Sequence, residues 1–366
     1  MSAATSGANI RAITATPVLV PMRRALGTSV MRLDKAPLLL IDLTTEDGVV
    51  GRSYLWCYLP AGAQAAAAMV RDCASVLVGK PALPVLVQRE LLTRYRLIGA
   101  RGVVSMAMAG IDIACWDVLA IAAGLPLAKL LGAPLRPIPA YNSNGLGLLA
   151  PQAVADEALE MVGEGFNAVK LRLGRTKAQD DLAAVRAVRK ALPDHVHLMS
   201  DYNQALSPAD ARERLMQLDG EGLSWIEEPV RHDDYASTAE LATLLRTPVQ
   251  IGENFAGPRA MAQALSLRAS DLVMPDLERI GGVSGWIAAS ALADVAGIEM
   301  SSHLFPEVSA HLLAATPTAH WLEFVDWASP VLQEPVQVVN GFVTPSDKPG
   351  NGMVWDMDAV RRFAAS

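Results

Sequence analysis

Three short motifs decide how this chain reads: Leu198-Met199-Ser200-Asp201-Tyr202-Asn203-Gln204, Trp225-Ile226-Glu227-Glu228-Pro229 and Ile251-Gly252-Glu253-Asn254. Twenty-six residues separate Asp201 from Glu227, and twenty-six separate Glu227 from Glu253. Each acid closes a short apolar run of the kind that forms a buried strand. The interval suits one strand, one helix and two loops, so three successive βα units would each end a strand on a carboxylate. In a parallel barrel those strand ends converge on one mouth. A single acid after a strand is usually solvated, but three brought together repel each other unless a cation lies between them. An all-oxygen ligand set suits a hard divalent ion such as Mg²⁺.

Outward from this stretch, strands and helices alternate, which argues for a parallel sheet. Strands are expected near 138–143, 167–173, 196–201, 223–227, 249–253, 272–275, 299–303 and 321–324. Eight strands close a barrel. Upstream, Ile10–Val20, Ala36–Leu43 and Val49–Leu55 read as a small sheet, and Ala63–Leu130 reads as helical. Met106, Ala109, Ile113, Trp116 and Ala120 fall on one helix face, and Gly124-Leu125-Pro126 ends that helix. The proline-rich Pro134–Pro139 marks a boundary. Between the first two strands, Pro21–Lys35 reads as a long loop of the sort that covers a binding site. The Pro- and Gly-rich tail after Ser329 is expected to pack back on the first unit.

Composition narrows the function. With 366 residues, 51% of them hydrophobic and 19% charged, the chain can bury a large core. A formal charge of −7 gives no reason to expect a nucleic-acid partner. Three unevenly spaced cysteines (Cys57, Cys73, Cys115) fit a reducing, cytoplasmic setting better than a disulfide framework. The apolar run Val103–Leu127 is broken by Asp112 and Asp117 and reads as a buried helix, with no role for a membrane.

Other residues complete a reactive site. Along 168–173, Lys170 and Arg172 share a face opposite Val169, Leu171 and Leu173. The apolar face must meet helices, so the cations point into the barrel. Asp276 and His303 end neighbouring strands, where a carboxylate on one ring nitrogen orients the other and raises its basicity. Glu323 ends the last strand and, buried near the metal, is expected to stay protonated and donate to an oxyanion. Together these residues suit removal of a proton next to a carboxylate. The enediolate so formed needs metal, cationic donors and an acid on one side, and a base on the other.

These motifs, with Ala36-Pro37-Leu38, Gly110-Ile111-Asp112, Leu130-Leu131-Gly132, Gly281-Gly282-Val283, Ser301-Ser302-His303-Leu304-Phe305 and Ala310-His311-Leu312, resemble the mandelate racemase group of the enolase superfamily over nearly the whole chain. Enzymes of that superfamily pair a Lys or His base with Mg²⁺. The resemblance implies an α/β fold, a modified (β/α)₇β TIM barrel (135–328) under an N-terminal α+β capping domain (1–134) completed by the C-terminal segment (329–366). It implies a homo-oligomer, octamer or dimer. It implies Mg²⁺ on Asp201, Glu227 and Glu253 with Asn203 nearby, a His303–Asp276 base dyad, Glu323 as the electrophilic acid and Ser143 beside the substrate carboxylate. It makes Pro21–Lys35 the loop that sets specificity, with Arg24, Leu26 and Tyr58 as substrate contacts.

One position departs. The family's second base is the later lysine of a Lys-x-Lys strand motif, and here the motif is Lys170-Leu171-Arg172. Arginine keeps its charge at any ordinary pH, so a two-base racemisation is not expected. One base suffices for β-elimination of water from an acid sugar, an aldonate or aldarate, to a 2-keto-3-deoxy acid. Arg23, Arg24 and Arg32 near the mouth would favour such an anion. Racemisation of a 2-hydroxy acid is the alternative, favoured by Leu26, Val30, Leu33, Trp56 and Tyr58. A non-catalytic protein that binds an acid ligand is a third.

Overall fold

The computed structural model describes residues 8–365. Its first unit is an antiparallel sheet of β1 (Ile10–Gly27), β2 (Arg32–Thr45) and β3 (Val50–Trp56). Alternation along β2 gives the sheet two buried faces. Leu39, Ile41 and Leu43 pack with the helices Pro60–Leu77 and Val103–Ala122, whereas Leu38 and Leu40 join the barrel core. The cap is thus glued to the barrel by the second face of its own sheet.

The helix Val103–Ala122 is long and apolar enough to cross a membrane by composition, yet here the cap sheet and a barrel helix, Gly282–Ala296, cover it. Its two aspartates are fasteners. Asp112 accepts from the Ser284 backbone N–H and hydroxyl. Asp117 accepts from Arg52 N at 2.8 Å and Asn351 N at 2.6 Å. Burial pushes both carboxyls up, to about 6 and about 7. The helix lies so close to β3 that a Cβ on Gly51 would stand 2.1 Å from Ala114 O. Gly51→Ala is therefore expected to destabilise the cap by about 1–3 kcal/mol, read as a lower urea midpoint at unchanged m-value.

The second unit is the barrel. Its parallel path runs β10 (Leu322–Phe324), β4 (Ile138–Asn142), β5 (Ala168–Arg172), β6 (His197–Asp201), β7 (Leu223–Glu227), β8 (Val249–Ile251) and β9 (Leu272–Val273). The expected strand at 299–303 is not a continuous ladder. It still closes the ring: Ser301 N donates to Val273 O on one side and Ser302 N to Trp321 O on the other. Tyr141, Ala168, Met199, Trp225 and Leu272 fill the lower interior. Val169, Leu171 and Leu173 face the helices, as alternation requires, and leave Lys170 and Arg172 inside.

β11 (Phe342–Val343) pairs antiparallel with β4, and the tail then crosses to the cap. Gly350 bridges to Pro126, Trp355 Nε1 donates to Asp42 Oδ1 at 2.9 Å, and Ala364 bridges to Val18.

The stretch Pro21–Lys35 is not a loop. β1 and β2 continue through it as a hairpin arm, pairing Pro21 with Lys35, Leu26 with Leu33 and Gly27 with Arg32 around an irregularity between Pro21 and Leu26. Only Thr28–Met31 turns, closed by Thr28 N donating to Met31 O.

Candidate active site

The three acids stand where their strands stop. Asp201 and Glu227 are the last residues of β6 and β7, and Glu253 lies two residues past β8. The chain then turns sharply: Asn203, Gln204 and Glu228 have φ of 45°, 65° and 36°. Such non-glycine left-handed residues persist only where the surroundings impose them. The carboxylate oxygens of Asp201, Glu227 and Glu253 lie within 4.8 Å of one another, and all three residues are buried. Each is aimed by a neighbour. Asn203 donates to Asp201 through both its backbone N–H (2.7 Å) and its side chain (2.9 Å), Trp225 Nε1 donates to Glu227 (3.2 Å), and Asn254 Nδ2 donates to Glu253 (3.1 Å). Three converging, buried, oxygen-only ligands fit Mg²⁺.

Lys170 joins this trio to Glu323. Its ammonium lies 2.7 Å from Glu227, 2.8 Å from Glu323 and 3.3 Å from Asp201. Burial opposes its charge, but Glu227 and Glu323 outweigh that and hold Lys170 well above the usual lysine range. The same contact corrects the expectation for Glu323. Burial would keep it neutral, yet the Lys170 ammonium and His303 pull its carboxyl down to about 2, so in the free site it is ionised. Its Oε2 accepts from Leu304 N at 2.9 Å.

Across the mouth, His303 Nδ1 lies 2.6 Å from Asp276 Oδ2. Asp276 also caps the short helix Leu277–Ile280, accepting from Glu278 N and Arg279 N. A carboxylate can only accept, so Nδ1 carries a proton and Nε2 is the nitrogen left facing the cavity. Nε2 faces Glu253 at 3.2 Å and Glu323 at 3.8 Å. Burial works against the imidazolium, but Glu253 and Glu323 raise His303 well above the ordinary histidine range.

Lys170, Arg172, Asp201, Asn203, Glu253, His303 and Glu323 line one cavity, with Leu26 and Tyr58 on its outer wall. Ser143 is not on that wall. It is fully buried behind it, its hydroxyl accepting from Arg172 at 3.3 Å. Arg24 is not in the cavity at all. Its guanidinium turns outward to Glu157, Glu160 and Glu164, and Arg23 also pairs with Glu164. Nor does Arg32 line the cavity; it is an exposed residue. None of these three arginines therefore favours an anionic substrate.

Sequence reasoning missed several wall residues. Trp327 stacks on Trp56 with ring centroids 4.5 Å apart. Arg279 lies over Tyr58 at 5.3 Å and donates to Asn254 Oδ1 and Glu253 O. The signal for Arg279 was its place three residues after Asp276, in the turn that Asp276 caps. Trp327 had none, because its partner is far away in the chain.

An antiparallel cap over a parallel barrel, with three converging acids at the mouth, defines a magnesium-dependent barrel enzyme. Residues 10–132 match the family described as mandelate racemase / muconate lactonizing enzyme, N-terminal domain, and residues 153–359 the one described as enolase C-terminal domain-like. The chain belongs to the mandelate racemase group of the enolase superfamily. It is 33% identical over 334 residues to the L-talarate/galactarate dehydratase of Salmonella typhimurium strain LT2, covering 90% of this chain and 83% of that protein. It is similar to the crystal structure of an enolase from alpha proteobacterium BAL199 with bound magnesium, at TM-score 0.95 and 44% identity, covering 98% of this chain and 99% of that one. It is also similar to an enolase from Bradyrhizobium complexed with magnesium and mandelic acid, at TM-score 0.94 and 39% identity, covering 99% and 100%.

Proposed function

We propose that the enzyme removes the α proton of a 2-hydroxy acid with His303 and eliminates the β-hydroxyl of an acid sugar as water, giving a 2-keto-3-deoxy acid. The observation that carries this reading is the asymmetry of the cavity. One wall holds the His303–Asp276 dyad. The other holds two cations, neither of them placed to accept a proton: Lys170 is paired with three carboxylates, and Arg172 is an arginine hydrogen-bonded to backbone carbonyls.

In this reading His303 Nε2 takes the α proton while Asp276 holds the ring. Asp201, Glu227 and Glu253 would hold magnesium, which when bound would supply Lewis-acid stabilisation of the charge that develops on the carboxylate. Lys170 and Arg172 stabilise the same enediolate electrostatically, with no proton changing hands. The proton on His303 returns to the departing β-hydroxyl, water leaves, and the enol tautomerises to the 2-keto acid. Similarity to a dehydratase of talarate and galactarate supports the substrate class. Thr28, Asn203, Gln204 and Asn254 supply polar groups on the cavity wall for sugar hydroxyls.

Racemisation of an arylglycolate is the second reading. Leu26, Val30, Met31, Trp56, Tyr58 and Trp327 give the outer wall an apolar character, and a relative binds mandelic acid. Incubation with an acid-sugar panel, followed by semicarbazide detection, is expected to reveal a 2-keto acid from at least one member. No product from any member, with loss of ellipticity from single-enantiomer mandelate, would replace elimination by racemisation.

A further inference from the structure

Arg172 sits where its side chain can serve the cavity, but most of its hydrogen bonds point elsewhere. Nη1 donates to Ser143 O and Gly145 O, both at 3.1 Å, and Nη2 to the Ser143 hydroxyl at 3.3 Å. Its backbone N–H donates to Leu146 O. The turn after β4 is thus gripped from inside the barrel by one planar fork. From outside, Glu157 on the helix Pro151–Gly163 accepts from Leu146 N at 2.9 Å.

The hairpin arm rests on this turn. A Cβ on Gly147 would stand 2.9 Å from Gly27 O and 3.1 Å from Gly27 Cα, so the two backbones touch. The arm's base is tied to the same helix, because Arg24 pairs with Glu157, Glu160 and Glu164. Arm, turn and helix form a closed circuit that Arg172 joins from the cavity wall, which Leu26, Thr28, Val30 and Met31 of the arm also line.

We propose that Arg172 is a positioning residue, whose guanidinium seats the β1–β2 hairpin over the catalytic cavity through the turn 143–147. A lysine at this position, with a single point of charge, could not hold two carbonyls and a hydroxyl in one plane. Arg172 grips the turn in the free enzyme, whichever acid is turned over.

Amide hydrogen exchange of the magnesium-loaded protein without substrate tests it. In Arg172→Ala, amides of residues 22–33 are expected to exchange about tenfold faster, the equivalent of one or two net hydrogen bonds, while amides of β5 to β7 keep their protection. Added guanidinium ion, filling the vacated fork, is expected to restore the hairpin's protection; ammonium is not. Arg172→Lys, which keeps the charge and most of the volume, guards against a folding defect and is expected to loosen the same residues. Gly147→Ala attacks the contact from its other side and should act in the same direction, whereas His303→Asn leaves the hairpin as it was. An unmoved hairpin in both Arg172 variants, or loosening spread equally through the barrel, overturns the assignment.

Discussion

His303→Asn is expected to lower turnover by about 10²–10⁴-fold, the usual contribution of a positioned general base, and to abolish exchange of the substrate's α proton with D₂O. Asparagine can still donate to Asp276, so the helix cap at Leu277–Ile280 and the fold should survive. The effect is large because nothing nearby can replace the imidazole. Lys170 is committed to Glu227, Glu323 and Asp201, and Arg172 to its turn. Proton NMR of wild type and variant in D₂O, with whichever acid the panel identifies, reads this directly. Exchange that persists in the variant moves the base to Lys170. A wild type that exchanges no α proton from any acid tested would favour a binding protein over an enzyme.

The second large effect is expected at the metal. Glu227→Gln should weaken Mg²⁺ binding by about a hundredfold or more, since even outer partners of a metal site cost about 10–100-fold. Glu227 is fully buried between Lys170 and Trp225, so no water can take its place without rearrangement. Magnesium at about a hundred times its Kd should stabilise the wild type by about 2.7 kcal/mol. That increment should fall to about 0.4 kcal/mol or less in the variant. Without metal, wild type and variant should melt close together, because Lys170 remains paired with Asp201 and Glu323. A magnesium-dependent shift in melting that survives the substitution would show that the ion is held elsewhere.

The acids and the dyad are legible in the sequence because each ends a strand, and strand ends in a parallel barrel share one mouth whatever their separation in the chain. The inward face of β5 is legible for a similar reason: period-two alternation is local. What cannot be read there depends on distant partners. Arg24 reads as a substrate contact until Glu157 and Glu160 on the helix Pro151–Gly163, and Glu164 at its C-terminal cap, claim it. Pro21–Lys35 mixes apolar and basic residues without clean alternation, since its strands pair around an irregularity, and so it reads as a loop. Glu323 looks neutral by burial, and the Lys170 ammonium at 2.8 Å, together with His303, reverses that. Arg172 is visible as a departure, but its hold on Ser143 and Gly145 is a fact of three dimensions.

The bridge from Ala364 to Val18, and the bond from Trp355 to Asp42, bear on how this molecule is made. A ribosome adds about 5–20 residues each second, so the sheet begun by β1 to β3 waits roughly a quarter of a minute to a minute for residues 350–365 to emerge. During the first part of that wait, until the strands between Ile138 and Phe324 have been made, the face carrying Leu38, Leu40 and Trp56 has no complete barrel beneath it. The earliest strands to leave the tunnel pair with each other at once, yet the tail that fastens their outer edge is the last part of the chain to be made.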